Sequence, residues 1–262
     1  MNIHPLLQQV CDEQPHPLLF ATISGAHLYG FASPDSDYDL RGVHILPPAQ
    51  VMGLMPLQET IEVSRPPSSP GDIDLDLVTH DVRKFMLMML KRNGYVLEQL
   101  YSPLVARTTP EHEELKQLGR GCITRFHAMH YLGFAHTQWK LFVKETPPRV
   151  KPLLYVYRVL LTGIHLMRTG EVEANLVHLN REFSLPWIDD LIQRKTTGAE
   201  KGTLDNADLA FHQQQYDRLT AELEQTQQQT HLPESPSSRP GLHDLLLRLR
   251  RAADLSGGRS SC

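Results

Sequence analysis

The chain has 262 residues, enough for one large domain or two small ones. With 40% hydrophobic and 21% charged residues it has the composition of an ordinary globular protein, and its formal net charge of −4 excludes a surface that binds nucleic acid over its whole extent, though not a local basic patch. The N-terminal stretch MNIHPLLQQVCDEQPHP has no basic start followed by an apolar core, and no apolar run reaches the roughly 18–20 residues of a membrane span. Cys11, Cys122 and Cys262 share no metal-type spacing, so the expectation is a cytoplasmic protein with reduced thiols and no membrane partner.

In chain order, residues 3–13 have the pattern of a short amphipathic helix. LLFATIS, residues 18–24, is a buried-strand run that stops at a Ser-Gly turn. AHLYGF then reads as a helical turn and ASPDS as a loop, since Pro34, Asp35 and Ser36 are turn formers. DYDLRGVHIL, residues 37–46, is a second strand, PPAQVMGL a connection, and residues 57–64 a further strand before the breaker cluster RPPSSPGD. DIDLDLVT, residues 72–79, alternates: Ile73, Leu75 and Leu77 face one way, Asp72, Asp74 and Asp76 the other. Thr79 or Asp81 can cap the next helix, whose stripe is Val82, Phe85, Met86, Met89 and Leu90. Asn93-Gly94 stops it, and YVLEQLYS is a short second helix.

From about residue 110 helical periodicity replaces strand-like runs, over roughly 110–119, 121–145, 149–169, 186–196 and 204–228, with Gly170 as a C-cap. TQQQTHLPESPSSRPG, residues 226–241, reads as a disordered linker, LHDLLLRLRRAADL as a last exposed amphipathic helix and SGGRSSC as a frayed tail. The predicted organisation is α+β: a small mixed-sheet domain at 1–108, a helical domain at 109–225, and a linker and tail at 226–262.

Asp37 and Asp39 lie on one face of their strand, and like charges so close repel unless a positive group sits between them. One of Asp72, Asp74 and Asp76 can join them from a neighbouring strand. Hard divalent cations such as Mg²⁺ prefer carboxylate oxygens, and two ions about 3.5–4 Å apart stabilise both the attacking and the leaving oxygen of a phosphoryl displacement. A small-residue turn such as Ser24-Gly25 brings backbone N–H groups up to phosphates.

The order Ser24-Gly25-Ala26, then Asp37-Tyr38-Asp39, then an acidic strand resembles the polymerase β-like nucleotidyltransferase superfamily. SGAHLYGFASPDSDYDLRGVHIL, VTHDVRKFMLMMLKRNGYVLEQLYSPL and KPLLYVYRVLL are similar to one bacterial branch, the RlaP-like group placed in RNA-repair settings; the resemblance covers about residues 18–200. It implies a nucleotidyltransferase that moves a nucleoside monophosphate from an NTP to a hydroxyl using two Mg²⁺ ions, with Mn²⁺ as a substitute. Ser24 and Gly25 would cradle the triphosphate, Asp37 and Asp39 would hold the metals, and Asp76 would be the third carboxylate and orient the acceptor hydroxyl, with Asp74 in reserve. Ala26 departs from the pattern, standing where many members have a phosphate-contacting serine, although its N–H remains.

Around this motif, His27 is either a phosphate contact or an exposed loop histidine. Arg41, two residues past Asp39, either contacts triphosphate or neutralises Asp39. Lys151, Tyr155 and Arg158 share a helix face, as do Lys140 and Lys144 on the preceding helix, and either pair of faces is a clamp on triphosphate or acceptor or simply solvated. His127, His130 and His136 lack the Cys or Glu partners of a zinc site. Three readings of the acceptor stay open: an RNA or DNA end, which the basic helical face favours and the overall acidity does not; a protein or small molecule; or NTP binding without turnover.

Overall fold

The computed structural model describes residues 4–67, 69, 72–197, 204 and 208–257. Along the chain the elements are α1 (Pro5–Asp12), β1 (Leu18–Ile23), α2 (Gly25–Tyr29), β2 (Tyr38–His44), α3 (Pro48–Met52), β3 (Thr60–Arg65), β4 (Leu75–Asp81), α4 (Val82–Met89), α5 (Gly94–Tyr101) and β5 (Val105–Arg107). Helices alone follow: α6 (Pro110–Arg120), α7 (His127–Lys144), α8 (Val150–Thr169), α9 (Leu176–Phe183), α10 (Pro186–Thr197), α11 (Leu209–Gln229) and α12 (Arg239–Gly257). They gather into a sheet unit, Met1–Ser24 with Asp37–Cys122 and Ser235–Cys262, and a helical unit, Gly25–Ser36 with Ile123–Glu234.

The sheet unit holds a mixed sheet in the order β3-β4-β2-β1-β5, so the expected α+β class is observed. β1 runs antiparallel to β2 and β5, and β3 antiparallel to β4, while β2 and β4 are parallel. A parallel pair cannot be joined by a hairpin. Here α3 and β3 fill the crossover between them.

Alternation gives each strand two faces with different cover. Leu7, Val10 and Cys11 of α1 pack against Ala21, Ile23, Leu40, Leu75 and Leu77 on one side. On the other, Phe20 and Val43 meet Val82, Phe85 and Met89 of α4, Val96 and Leu100 of α5, Leu115 of α6, and Leu242, Leu245 and Leu249 of α12. Asp81 caps α4 by accepting from the Arg83 N–H at 3.0 Å, as its place before an apolar run suggests.

The C-terminal segment differs from its expected linker-and-tail form. Residues up to Gln229 extend α11, and α12 is docked rather than exposed. Its leucines recur at i, i+3 and i+7, and full burial of each is worth about 1.5–3 kcal/mol. Arg250 gives the helix a polar anchor, donating to both Asp81 carboxylate oxygens at 2.6 and 2.8 Å and to the Leu46 carbonyl at 2.5 Å. Residues 258–262 of the expected frayed tail, Cys262 among them, lie outside the described residues. The predicted boundary at 108/109 also differs: α6 belongs to the sheet unit, where His112 stacks on Phe20 with ring centroids 4.2 Å apart.

The helical unit is built around α8, buried on nearly every side from Val150 to Met167. A helix apolar all round must lie at the centre of its layer. Gly170, at φ 79°, ends it, and its N–H donates to the Leu166 carbonyl at 2.9 Å. The short α2 belongs to this unit. The Asn175 amide, whose oxygen caps α9, donates to the Leu28 carbonyl at 3.2 Å. Among the described residues no helix is long and apolar enough to cross a membrane.

Candidate active site

The parallel pairing of β2 and β4 decides which acids meet. The Tyr38 N–H donates to the Asp74 carbonyl at 2.8 Å, and the ladder then sets Asp39 beside Asp76 and Leu40 beside Leu77. Both leucines are buried, so period-2 alternation turns both carboxylates to the opposite, helix-bearing face. Asp39 is half-buried and Asp76 exposed. Asp74 is exposed one pleat earlier, and Asp37 is half-buried just ahead of β2. Asp39 and Asp76 are therefore brought together, in a donor set that suits a hard, oxygen-seeking cation in kind. Among the described residues no three His, Cys, Asp or Glu side chains are gathered as a ready-made metal group.

The positive group that the two like charges require is Arg41. Two residues beyond Asp39 on the same face, its guanidinium reaches Asp39 Oδ1 at 2.5 Å and the Asp76 carbonyl at 2.9 Å. It also donates to its neighbour's carbonyl, Leu40 O, at 3.0 Å, and through Nε to the Tyr95 hydroxyl at 3.2 Å. Its side chain is 15% exposed, against 23% for Asp39. Burial works against the guanidinium charge. The Tyr95 hydroxyl, Asp39 and Asp76 together outweigh that burial and hold the pKa above the ordinary arginine value. Tyr95, at the start of α5, is the functional-face residue that sequence reasoning passes over, because nothing local marks a tyrosine after a helix cap as a partner of a distant strand.

The turn that follows β1 divides between the two units. Ser24 closes the sheet unit's part: its N–H donates to the Asp39 carbonyl at 2.8 Å, and its fully buried hydroxyl has no hydrogen-bond partner among the described residues. Gly25, at φ 64°, takes the left-handed conformation that glycine adopts without a Cβ penalty and opens α2. Ala26 is buried and His27 half-buried.

Within the helical unit the Lys151-Tyr155-Arg158 stripe is not a solvent-facing basic face. Lys151 and Tyr155 are half-buried, and Arg158 is 2% exposed. Its guanidinium lies 3.7 Å over the Tyr29 ring centroid and 5.6 Å from that of Tyr155. Tyr155 in turn meets Tyr29, Phe31 and Phe134. An arginine among aromatic faces is held by cation–π attraction, and on a mostly apolar helix it reads from sequence as surface charge. Lys140 and Lys144 are exposed on α7. Lys195 is a second residue the sequence hides. It is fully buried, its Nζ donates to Ser33 Oγ at 2.7 Å, and Ser33 and Ser36 share a hydroxyl bond of 3.0 Å. The signal is there in retrospect, since Ile188, Leu191 and Lys195 recur on the buried face of α10.

A model of the RNA repair pathway DNA polymerase beta family, RlaP, matches residues 2–248. The uncharacterized protein MJ0002 of Methanocaldococcus jannaschii is 32% identical over 157 residues, 60% of this chain and 63% of that relative, so the match spans less than two thirds of the relative's length. YcgL of Bacillus subtilis is 26% identical over 193 residues, 70% of this chain and 71% of the relative. A crystal structure of a nucleotidyltransferase-like protein from Exiguobacterium sibiricum aligns at 10% identity and TM-score 0.31 over 86% of this chain and 72% of the other.

Proposed function

The chain belongs to the RlaP family, the RNA repair pathway DNA polymerase beta family, and from that premise we propose a cytoplasmic nucleotidyltransferase that moves a nucleoside monophosphate from an NTP to a hydroxyl on a nucleic-acid end, RNA first. The observation that carries this reading is the in-register pair of Asp39 and Asp76 on parallel strands. Asp37, Asp39 and Asp76 would hold two Mg²⁺ ions, with Mn²⁺ as a substitute. When bound, such ions place positive charge on the attacking and leaving oxygens of phosphoryl transfer.

The chain's own groups have separable tasks. Asp76, exposed beside half-buried Asp39, is accessible to an acceptor hydroxyl and suited to orient it or take its proton. The Ser24 hydroxyl, buried and without a partner among the described residues, would gain a phosphate oxygen as an acceptor if the turn opens to the triphosphate. Gly25, Ala26 and His27 would supply backbone N–H groups after the left-handed turn, and Lys151 and Tyr155 would be further nucleotide-binding residues. Arg158 would act at one remove, by fixing Tyr29 of α2. A serine hydroxyl in place of Ala26 would add one neutral hydrogen bond to a phosphate, worth about 0.5–1.5 kcal/mol.

The test is transfer of α-labelled NTP in Mg²⁺, alone and with RNA or DNA ends. Label on a nucleic-acid end is expected, with release of pyrophosphate. Label on a protein or small acceptor would replace the acceptor, and binding without pyrophosphate release would make the chain a nucleotide-binding regulator. Asp39→Asn and Asp76→Asn should each lower transfer by about 10²-fold or more, as loss of a group that stabilises developing charge does. Wild-type turnover in both would end the carboxylate assignment.

A further inference from the structure

We propose that Arg41 and Tyr95 form a latch that holds the Asp39 carboxylate against premature occupation by a divalent cation. The proposal rests on the metal-site reading above. Its basis is where the guanidinium goes. A solvated arginine beside an aspartate makes a loose pair that contributes little. Arg41 instead spends its donors on four groups at once: Asp39 Oδ1 at 2.5 Å, the carbonyls of Leu40 and Asp76 at 3.0 and 2.9 Å, and the Tyr95 hydroxyl at 3.2 Å. The two carbonyls belong to β2 and β4, the strands that carry the paired acids, and Tyr95 belongs to α5, whose Val96 and Leu100 share a core with Val43 of β2.

A planar fork held on several sides is fixed in direction, and a fixed cation competes for a carboxylate oxygen better than a mobile one. Asp39 Oδ1 cannot keep the Arg41 bond and also enter a metal's coordination shell at full strength. The order of events follows. A lone divalent ion meets Asp39 already neutralised, whereas an ion arriving with a triphosphate brings anionic oxygens that can take over the guanidinium. Arg41 thereby makes metal binding depend on nucleotide. The two sequence-level alternatives for this residue, phosphate contact or neutraliser of Asp39, become successive positions of one side chain.

The experiment is Mn²⁺ binding, followed by electron paramagnetic resonance, to the full chain without nucleotide and then with a non-hydrolysable NTP. Arg41→Gln is expected to bind nucleotide-free Mn²⁺ roughly two- to fivefold more tightly than wild type, the range that loss of a partly screened ion pair allows. Tyr95→Phe, which removes one hydroxyl and leaves the ring packed, is expected to shift the same way by less. Arg41→Lys keeps the charge but loses the fork, and under the latch it too binds Mn²⁺ more tightly. Nucleotide is expected to tighten Mn²⁺ binding more in wild type than in Arg41→Gln. Tighter binding in Arg41→Gln with none in Arg41→Lys would reduce Arg41 to a plain charge and overturn the latch. Equal or weaker binding in all three variants would do the same while leaving the metal site standing. No Mn²⁺ binding by wild type or any variant, with or without NTP, would overturn the metal reading itself and the latch with it.

Discussion

Glycine 30 shows how much one backbone position can demand. It sits at φ 85°, and a Cβ built there would lie 2.6 Å from Asn175 Oδ1, the atom that caps α9. Gly30→Ala therefore adds a left-handed penalty to a clash with an occupied cap, and should cost about 1–3 kcal/mol, read as a lowered midpoint in chemical denaturation. A midpoint within error of wild type would mean that Asn175 moves aside freely. The same scale marks what sequence can and cannot say about side chains. That Asp39 and one of Asp72, Asp74 and Asp76 can share a sheet face is readable, because strand period is a local property, fixed two residues at a time. That Asp76 is the one in register with Asp39 is set by the pairing of β2 with β4 and not by either strand alone. Arg158 was unreadable because its fate depends on Tyr29, in a different segment, coming to lie under its guanidinium. Tyr95 was missed for the same reason, its partner Arg41 being 54 residues away.

At the level of elements, α12 is held by one stripe and one buried ion pair. Arg250 is 11% exposed and Asp81 1% exposed at the side chain, and Asp81 also caps α4 and accepts from the Leu46 N–H at 3.2 Å. Removing one partner of such a pair leaves a buried charge unmatched, so Arg250→Ala should cost about 3–5 kcal/mol. Arg248, one turn face away and paired at the surface with Glu114, is the contrast. Its alanine variant should leave the thermal midpoint unchanged within error. Comparable losses in both would mean that helix propensity, and not the buried pair, anchors α12. The elements most legible in sequence were those with long periodic stripes or a cap: β1, β2, β4, α4 and α8. Two were not read at all. β5 has three residues, too few for a period, and α9 has a buried stripe of little more than Leu176 and Leu179. PPAQVMGL read as a connection, and within it α3 is five residues with none buried. The docking of α12 is hidden because its charged residues equal its leucines in number, and only tertiary contact shows which side is covered.

Over the whole molecule, histidines set the acid limit. Burial pushes His44, His80 and His112 each down to about 4, outweighing Asp81 beside His44, while Lys84 adds to the effect at His80 and Lys116 at His112. The unfolded chain binds these protons near pH 6.5 and the folded chain does not until about 4. Their contribution is therefore complete above about pH 6.5 and is lost as pH falls towards 4. The thermal midpoint should be level from pH 8 to 7 and fall by more than about 5 °C by pH 5. His112→Gln, which keeps hydrogen-bonding capacity towards Thr108 and the Leu100 carbonyl, should flatten part of that slope. An unchanged slope in that variant would shift the effect to other groups. At this scale the sequence announced two kinds of structure, since strand-like runs cease near residue 110. It did not announce their interleaving, in which Gly25–Ser36 joins the helical unit and Ser235 onward returns to the sheet unit. Periodicity reports what a segment becomes, and only contacts report where it goes.

That return has a cost during synthesis. A ribosome adds about 5–20 residues per second. Phe85, Met86, Met89 and Leu115 emerge early, while Leu242, Leu245 and Leu249, which pack into the same core, emerge only after every element of the helical unit. For that interval the nascent sheet unit carries an uncovered apolar patch, a target for holding chaperones and a route to aggregation. A chain stopped at residue 238 would keep the patch for good, and should be recovered in the insoluble fraction while the chain that carries α12 stays in solution.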